Sequence, residues 1–578
     1  MSVFAGAFSR QPGVPVSQAL REALKQNVSR FPGEEVALYG DDRCYLAYVD
    51  LGAFDGEGVL QQEGLLTAVA GEALLRDGDN VPGWNRTREL EVLQAALLAG
   101  DYGKLTQCCG TFCGMQYDAA SGVLSLFSDR MGVRPLYVWT SPELVVFSTA
   151  MRVLEEVELL RKELDVRGVS EIAAFHYPLS DRTPYRNIRM LNGSEVMCIS
   201  AADVQCHAYA RWTEEKPARP YEQLVQDGYD AFIRALRRRH RGSAEAAAFL
   251  SGGLDSRAIV GGLRALGTEV DTINFAPEAT QDRVFAKLVA DLLHTHHDEL
   301  STDMRLSKRK EIVQEWMETR FGDGARPRTM WSGDGGSVSL GLVYMNPQIV
   351  ADMERGQVEQ AVLRFNSGLP GRVLARTVRS KLERMPLQGA VEEIAAAGAD
   401  HEPARAFHLF LMANDQRRHM VQHFEDLDIE RIEFQLPFFD GEFLEVVLSG
   451  PCVPFLGHAY YMDWLDKFPN KLASVPWQAY PGHVQCTLPM PEGLGYQWEG
   501  GYFAHEMIAQ QIQRRIERAR SLLADQPFPR HLISRTVLHA ATWVTRMGWR
   551  DYSYLLETAS TFHKYWSICG RTVNAPRI

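Results

Sequence analysis

Phe249-Leu250-Ser251-Gly252-Gly253-Leu254-Asp255-Ser256 is the stretch on which the reading of the fold turns. The apolar run Ala246-Ala247-Ala248-Phe249-Leu250 feeds into it, and a helical pattern leaves it from Arg257 to about Leu266. A glycine-rich turn between a buried strand and a helix aims backbone N–H groups and the positive end of the helix at an anion. Gly252 and Gly253 let the backbone close on a phosphate with no Cβ in the way, and Ser251 and Ser256 add hydroxyl donors. Asp255 would repel bare phosphate, so its presence implies Mg²⁺ between the two. The bland alternative is a tight turn with Asp255 or Ser256 near the helix cap, but the full string at a strand end is more specific than that. A second strand, Val270 to Phe275, follows the helix, and this strand–loop–helix–strand order opens a parallel α/β sheet.

Upstream, Tyr221 to Arg239 places Leu224, Tyr229, Phe232, Ile233 and Leu236 on one face of a helix. Before it, Glu214, Glu215, Lys216, Pro217 and Pro220 form a polar, proline-marked stretch without periodicity, which reads as a linker. Two domains are therefore expected, at 1–212 and 213–578. The first is rich in short apolar runs broken by turns: Val36 to Tyr39 before Gly40-Asp41-Asp42, and Val123 to Phe127 after Ser121-Gly122. That punctuation suits antiparallel strands. The C-terminal stretch reads as helices and irregular loops. Within it Arg514 to Trp549, Arg-rich with interleaved Leu, Ile and Trp, reads as a packed amphipathic helix pair, with a peptide channel as the alternative.

A chain of 578 residues, 46% apolar and 23% charged, suits two soluble globular domains. The net charge of −12 argues against a nucleic-acid partner. The run Arg237-Arg238-Arg239-His240-Arg241 reads as a solvated helix end or a domain seam, with a docking patch for an acidic partner or phosphate as the alternative. The nine cysteines are irregularly spaced. Cys108-Cys109 with Cys113 fits no zinc pattern, and Cys108 to Met115 reads as a buried strand in which thiols serve as small apolar groups. No run of about 18 apolar residues suggests a membrane span. Met1 to Gly6 offers no basic region ahead of an apolar core, so a cytoplasmic protein is expected.

The loop string looks like that of the ATP-pyrophosphatase enzymes, and the chain as a whole resembles the asparagine synthetase superfamily. Phe127-Ser128-Asp129-Arg130-Met131-Gly132-Val133-Arg134-Pro135-Leu136-Tyr137 is similar to a strand of that family's N-terminal domain, and Glu89-Leu90-Glu91-Val92-Leu93 to the helix before it. Ser332-Gly333-Asp334-Gly335-Gly336 looks like its second nucleotide loop, and Gln435-Leu436-Pro437-Phe438-Phe439-Asp440 resembles a later motif. The resemblance implies an α+β, Ntn-type, amidotransferase-like sandwich followed by an α/β ATP-pyrophosphatase synthetase domain with helical additions. It implies ATP and Mg²⁺, with Leu250, Ser251, Gly252, Gly253, Asp255, Ser256, Asn274, Ser332 and Gly333 binding ATP, and Asp255 and Asp334 the metal.

Three departures narrow the function. A glutaminase of this class needs a cysteine directly after the initiator methionine, acting as nucleophile with its own amine as base. Ser2 stands there, and the glutamine-site motif reads Ala70-Gly71-Glu72 without its asparagine, so the N-terminal domain is expected to lack glutaminase activity. Ser337 aligns with a metal-binding aspartate, leaving Asp334 to bind metal or to act as a base. No lysine occupies Trp477 to Cys486, where the family's catalytic lysine lies. His483 is the nearest ionisable candidate, and protonated it would offer positive charge to phosphate. Without an ammonia source the attacking amine should belong to the substrate, with Asp334 or Asp415 as its base. That points to the β-lactam synthetases and lasso peptide cyclases. Chain length, the altered metal and lysine positions, and the resemblance of Trp331–Tyr344 and Trp477–Cys486 favour a lasso cyclase, which closes a macrolactam on a precursor peptide. A leader peptidase and a leader-recognition protein are its expected further partners. An asparagine-forming enzyme and a non-catalytic homologue are the rivals.

Overall fold

Strand Ser2–Ser9 is buried along its whole length, and that explains the layering of the N-terminal half. Phe4 and Phe8 enter one core with Leu46, Leu66, Met115, Leu126 and Phe147. Val3, Ala5 and Ala7 enter another, shared with Leu20 and Leu24 of helix Gln18–Asn27. A strand covered on both faces needs apolar side chains at successive positions rather than alternate ones.

The computed structural model describes residues 2–79, 81–213, 217–300, 309–322, 329–398, 401–497 and 505–570. Two six-stranded antiparallel sheets make the sandwich. The first runs Ile188–Met190, Tyr137–Thr140, Leu144–Ser148, Ser2–Ser9, Cys44–Asp50, Ala37–Gly40. The second runs Val204–Ala208, Glu195–Ile199, Val123–Ser128, Phe112–Asp118, Leu65–Gly71, Val59–Gln62. The Phe4 core lies between them, while Leu90, Leu93 and Leu97 of helix Arg86–Leu98 cover the outer face of the second. The run Cys108 to Met115 is not one strand, as the sequence suggested. The strand begins at Phe112, and Cys108 and Cys109 turn back beforehand, the Cys109 N–H reaching the Ala73 carbonyl at 3.1 Å.

Glu214, Glu215 and Lys216 lie outside the described residues; helix Tyr221–His240 follows them. Beyond it, five parallel strands are ordered His296–Glu299, Glu269–Asn274, Glu245–Phe249, Thr329–Trp331, Glu433–Gln435. The chain starts at the middle strand, adds two on one side, then returns to add two on the other. The crevice at the carboxyl ends of Glu245–Phe249 and Thr329–Trp331 is thus the point where the winding reverses, the place where open α/β sheets bind ligands. The C-terminal helix pair gains a third member: His505–Ala524, Arg535–Arg546 and Ser553–Ile568 pack together, with Trp543 and Trp549 exposed. Among the described residues no helix is long and apolar enough to cross a membrane.

The basic run at Arg237–Arg241 is a seam rather than a solvated end. Arg238 donates to Asp79 (2.7 Å) and Glu442 (2.9 Å), Arg239 to Asp440 (2.5 Å), and Arg241 pairs with Glu72 (3.1 Å) and Glu89 (2.9 Å). Cys109, Asp440 and Glu442 come close enough together to hold a metal ion, but these guanidinium groups already supply the positive charge. Elsewhere along the seam Arg134 pairs with Glu433, both buried, and Arg130 meets Glu445 at 2.5 Å. The Arg417 Nε donates to the Gly132 carbonyl (2.9 Å) and Arg418 to the Ser180 carbonyl (2.7 Å). Charges leave water at such a seam only because each meets a partner.

Candidate active site

Helix Leu254–Ala265 starts earlier than its apolar pattern suggested, with Gly253 as N-cap, so Asp255 and Ser256 sit in its first turn. The Ser256 hydroxyl accepts from the Ser251 N–H at 2.9 Å and closes the loop on itself. The Gly252 N–H donates to Asp282 at 2.7 Å, and a Cβ on Gly252 would come within 2.8 Å of the Asp282 backbone, which is why a glycine stands there. Leu250 is buried and takes part through its backbone: its carbonyl accepts from the Asn274 amide at 2.7 Å. The Asn274 side-chain oxygen accepts from the Ala276 N–H, also at 2.7 Å. Asn274, expected to contact ATP, braces the loop through these two bonds.

The second loop lies directly on the first. Gly335 turns at φ +89°, and Cβ atoms on Gly333 or Gly336 would sit 2.8 Å from the Asp255 Cβ or 2.6 Å from its Cγ. Ser337 donates twice to Asp255, through its N–H (3.0 Å) and its hydroxyl (2.8 Å), and Tyr461 donates at 2.7 Å. Where the resemblance put a second metal-binding carboxylate, Ser337 instead holds the first in place. Ser332 donates to Asp334, and the His419 Nε2 lies 3.7 Å from that same carboxylate.

Burial pushes the Asp255 carboxyl up to about 6 despite its three donors, and the neighbouring Asp334 pushes the same way. Two carboxylates in one crevice favour a cation between them. A carboxylate has roughly four acceptor positions, so three donors leave room for one more bond. Asp255 and Asp334 therefore fit a Mg²⁺ ion that would also hold phosphate oxygens.

The segment carrying His483 is laid over the loop, with the Gln478 N–H donating to the Gly252 carbonyl at 3.1 Å. Beneath it the Nδ1 atoms of His458 and His483 are 2.7 Å apart, and His458 stacks on Tyr461 and Tyr480 at 5.5 and 5.3 Å. At that contact one ring must donate and the other accept. Burial, then the neighbouring His483, holds His458 down at about 3, and burial lowers His483 as well. Burial works against the protonated His483 expected from the sequence, and two charged rings at this contact would repel.

Asp415 sits in a π-helical turn, Leu411–Gln416, and accepts from Gln416 at 2.7 Å. His419, which approaches Asp334, lies one turn on. Such turns recur at functional sites. Tyr461, Tyr480, His458, His419 and Arg257 were all missed in the sequence. Only Arg257, a charge inside the apolar helix after the loop, left a signal there. Its guanidinium is fully buried and donates to the carbonyls of Gly252, Gly253, Leu472, Val475 and Pro476 at 2.8–3.3 Å.

The N-terminal half holds a second polar cluster. Ser2 is fully buried and its hydroxyl accepts from Arg86 at 3.2 Å, while Arg86 also pairs with Asp50. A Cβ on Gly58 would strike the Tyr48 hydroxyl at 1.9 Å, so the surroundings are filled. Ala70 is buried, and Glu72 is engaged at the seam by Arg241 and by Gln435 at 3.4 Å.

A glutamine amidotransferase domain model matches residues 80–210, and an asparagine synthase model matches residues 228–332. The two matches, in this order, support the asparagine synthetase superfamily. The chain is 27% identical over 208 residues to a Methanocaldococcus jannaschii protein named as asparagine synthetase [glutamine-hydrolyzing] 2, covering 34% of this chain and 40% of that one. It is 23% identical over 180 residues to asparagine synthetase [glutamine-hydrolyzing] 3 of Bacillus subtilis, covering 30% of this chain and 29% of that one. The matches thus span well under two thirds of either relative. Among solved structures, the allosteric regulatory enzyme of purine biosynthesis aligns at 12% identity and a TM-score of 0.25, covering 59% of this chain and 76% of that one. The Bacillus subtilis glutamine phosphoribosylpyrophosphate amidotransferase with ADP and GMP aligns at 11% and 0.24, covering 59% and 77%. At such TM-scores the fold rests on the strand order and the family matches.

Proposed function

We propose that this protein is an ATP-dependent amide-forming ligase that adenylates an Asp or Glu side chain of a precursor peptide and closes a macrolactam, as a lasso peptide cyclase does. AMP and pyrophosphate are the other products. The observation that carries the reading is the pair of glycine loops meeting over Asp255 at the reversal of the sheet, opposite an N-terminal cluster whose Ser2 is buried under Arg86. The first arrangement suits a polyphosphate, and the second leaves glutamine no nucleophile to meet. In this reading the loop N–H groups and Ser251 bind phosphates, Asp255 and Asp334 hold Mg²⁺, and Asp415 or Asp334 takes the proton of the substrate's own amine. The metal's part would be to offset charge on the departing pyrophosphate. Catalysis would rest largely on holding amine and acyl carbon within about 3–3.5 Å.

Incubation with Mg-ATP and a leader-free core peptide tests this. The expected products are AMP, pyrophosphate and a peptide lighter by one water; asparagine formed from aspartate and ammonium would replace the reading with its rival. The donors that Ser337 places on Asp255 favour a second reading, a homologue that binds without turnover. ATP–pyrophosphate exchange that vanishes in Asp255→Ala would eliminate it.

A further inference from the structure

The phosphate loop needs positive charge, 477–486 has no lysine, and burial works against a charged His483. A cation does lie directly beneath the loop. Arg257 is 0% exposed, its five hydrogen bonds all go to carbonyls, and among the described residues no carboxylate pairs with it. Arg417 and Arg418 are held on carbonyls in the same way at the seam; what sets Arg257 apart is that two of its carbonyls belong to the phosphate loop.

We infer that Arg257 is the fixed cation of the phosphate loop, a positioning residue that acts on a bound polyphosphate through two peptide groups. The carbonyl of Gly252 shares its peptide with the N–H of Gly253, and the carbonyl of Gly253 shares its peptide with the N–H of Leu254. In a planar trans peptide the two ends point in opposite directions. Arg257 holds both carbonyls, at 3.3 and 3.1 Å, so both N–H groups face away from it, the Gly253 N–H onto the Ser251 hydroxyl at 3.3 Å. Leu254 is the first residue of its helix, and its N–H is one of those a helix leaves without an internal acceptor. The guanidinium thus orients and polarises the two peptides best placed to meet phosphate oxygens, and its charge needs no side chain in the cleft. The inference rests on the reading of this loop as the site of the ATP phosphates.

Two variants separate charge from bracing. R257K and R257Q both lose most of the carbonyl contacts, but only the lysine keeps the charge. Titration of each with inorganic pyrophosphate plus Mg²⁺, and separately with adenosine, gives the readout. R257Q should bind pyrophosphate about tenfold or more weakly, R257K should recover most of that loss, and adenosine should bind equally to both. Equal pyrophosphate loss in the two variants would overturn the inference, since a brace alone would behave so. A wild type that binds adenosine but no pyrophosphate would overturn the loop reading along with it. If R257Q does not fold, R257K alone is compared with wild type: pyrophosphate affinity within about threefold of wild type supports the charge, and a loss of about tenfold or more, as a lost brace would give, overturns the proposal.

Discussion

The Ser2 cluster and the Asp255 crevice are both buried polar groups gathered around an aspartate, and they differ in what their polar atoms face. Around Ser2 the donors and acceptors close on one another: Arg86 meets both Ser2 and Asp50, and the nearby space is filled by Tyr48 against Gly58. Around Asp255 the same kinds of group stop short of closure. Three donors fix the carboxylate, yet an acceptor position, the acid Asp334 and the helix start at Leu254 remain at one crevice. Polar residues at a homologous position therefore say little about chemistry; what distinguishes a working site is that some of its polar groups still face outward.

The widest gap between the two regions should appear on neutralising the aspartate of one and trimming the serine of the other. Asp255→Asn is expected to cut ATP–pyrophosphate exchange about a thousandfold, the scale of losing a preorganised electrostatic contact. Ser2→Ala should leave exchange and peptide closure unchanged, and glutamine should not serve either protein as nitrogen donor. Glutamate release from glutamine by the wild type, lost in Ser2→Ala, would break the comparison. Severing the seam between the regions comes next. Arg134→Met strands the buried Glu433 and should lower unfolding stability by about 3–5 kcal/mol in denaturant titrations. A methyl at the loop crossing follows: Gly336→Ala forces Asp255 aside and should reduce kcat/KM for ATP about a hundredfold, as roughly 1 Å of misplacement does.

The smallest effect is a slope in pH. Above pH 6.5 the His458 ring is neutral whether folded or unfolded. Below that, the unfolded ring takes a proton which the folded ring refuses until about 3. Stability should therefore drain as pH falls from 6.5 toward 3, by at most about 1.4 kcal/mol per unit. His458→Gln should flatten that slope in thermal melts; an unchanged slope would mean that the folded ring titrates normally.

How much of this was legible in the sequence follows from distance along the chain. Both glycine loops, the parallel sheet they leave and the layered N-terminal half were readable because strand, turn and helix signals are local. Asp255 and Ser256 were readable as site residues, although the apolar periodicity placed their helix start too late, since a cap residue carries no periodic signal. Tyr461, Tyr480 and His458 reach the loop from more than two hundred positions away and look like ordinary helix and turn residues. His483 was found, but its partner His458 and its buried setting were not, because neither shows in one segment. The Arg237–Arg241 run showed its charge but not its partners, which come from Asp79, Asp440 and Glu442.

Arg417 and Arg418 settle how the chain must be made. Their donors end on carbonyls of Gly132, Ser180 and Leu191, and they continue directly from the turn that carries Asp415. During synthesis the N-terminal half leaves the ribosome first and folds as a unit, so those carbonyls are already fixed when the two arginines emerge. The N-terminal half is then the mould against which the other takes shape. Separating the halves at 212 would remove that mould, and a synthetase half expressed alone would emerge with two buried-type cations and nothing to receive them.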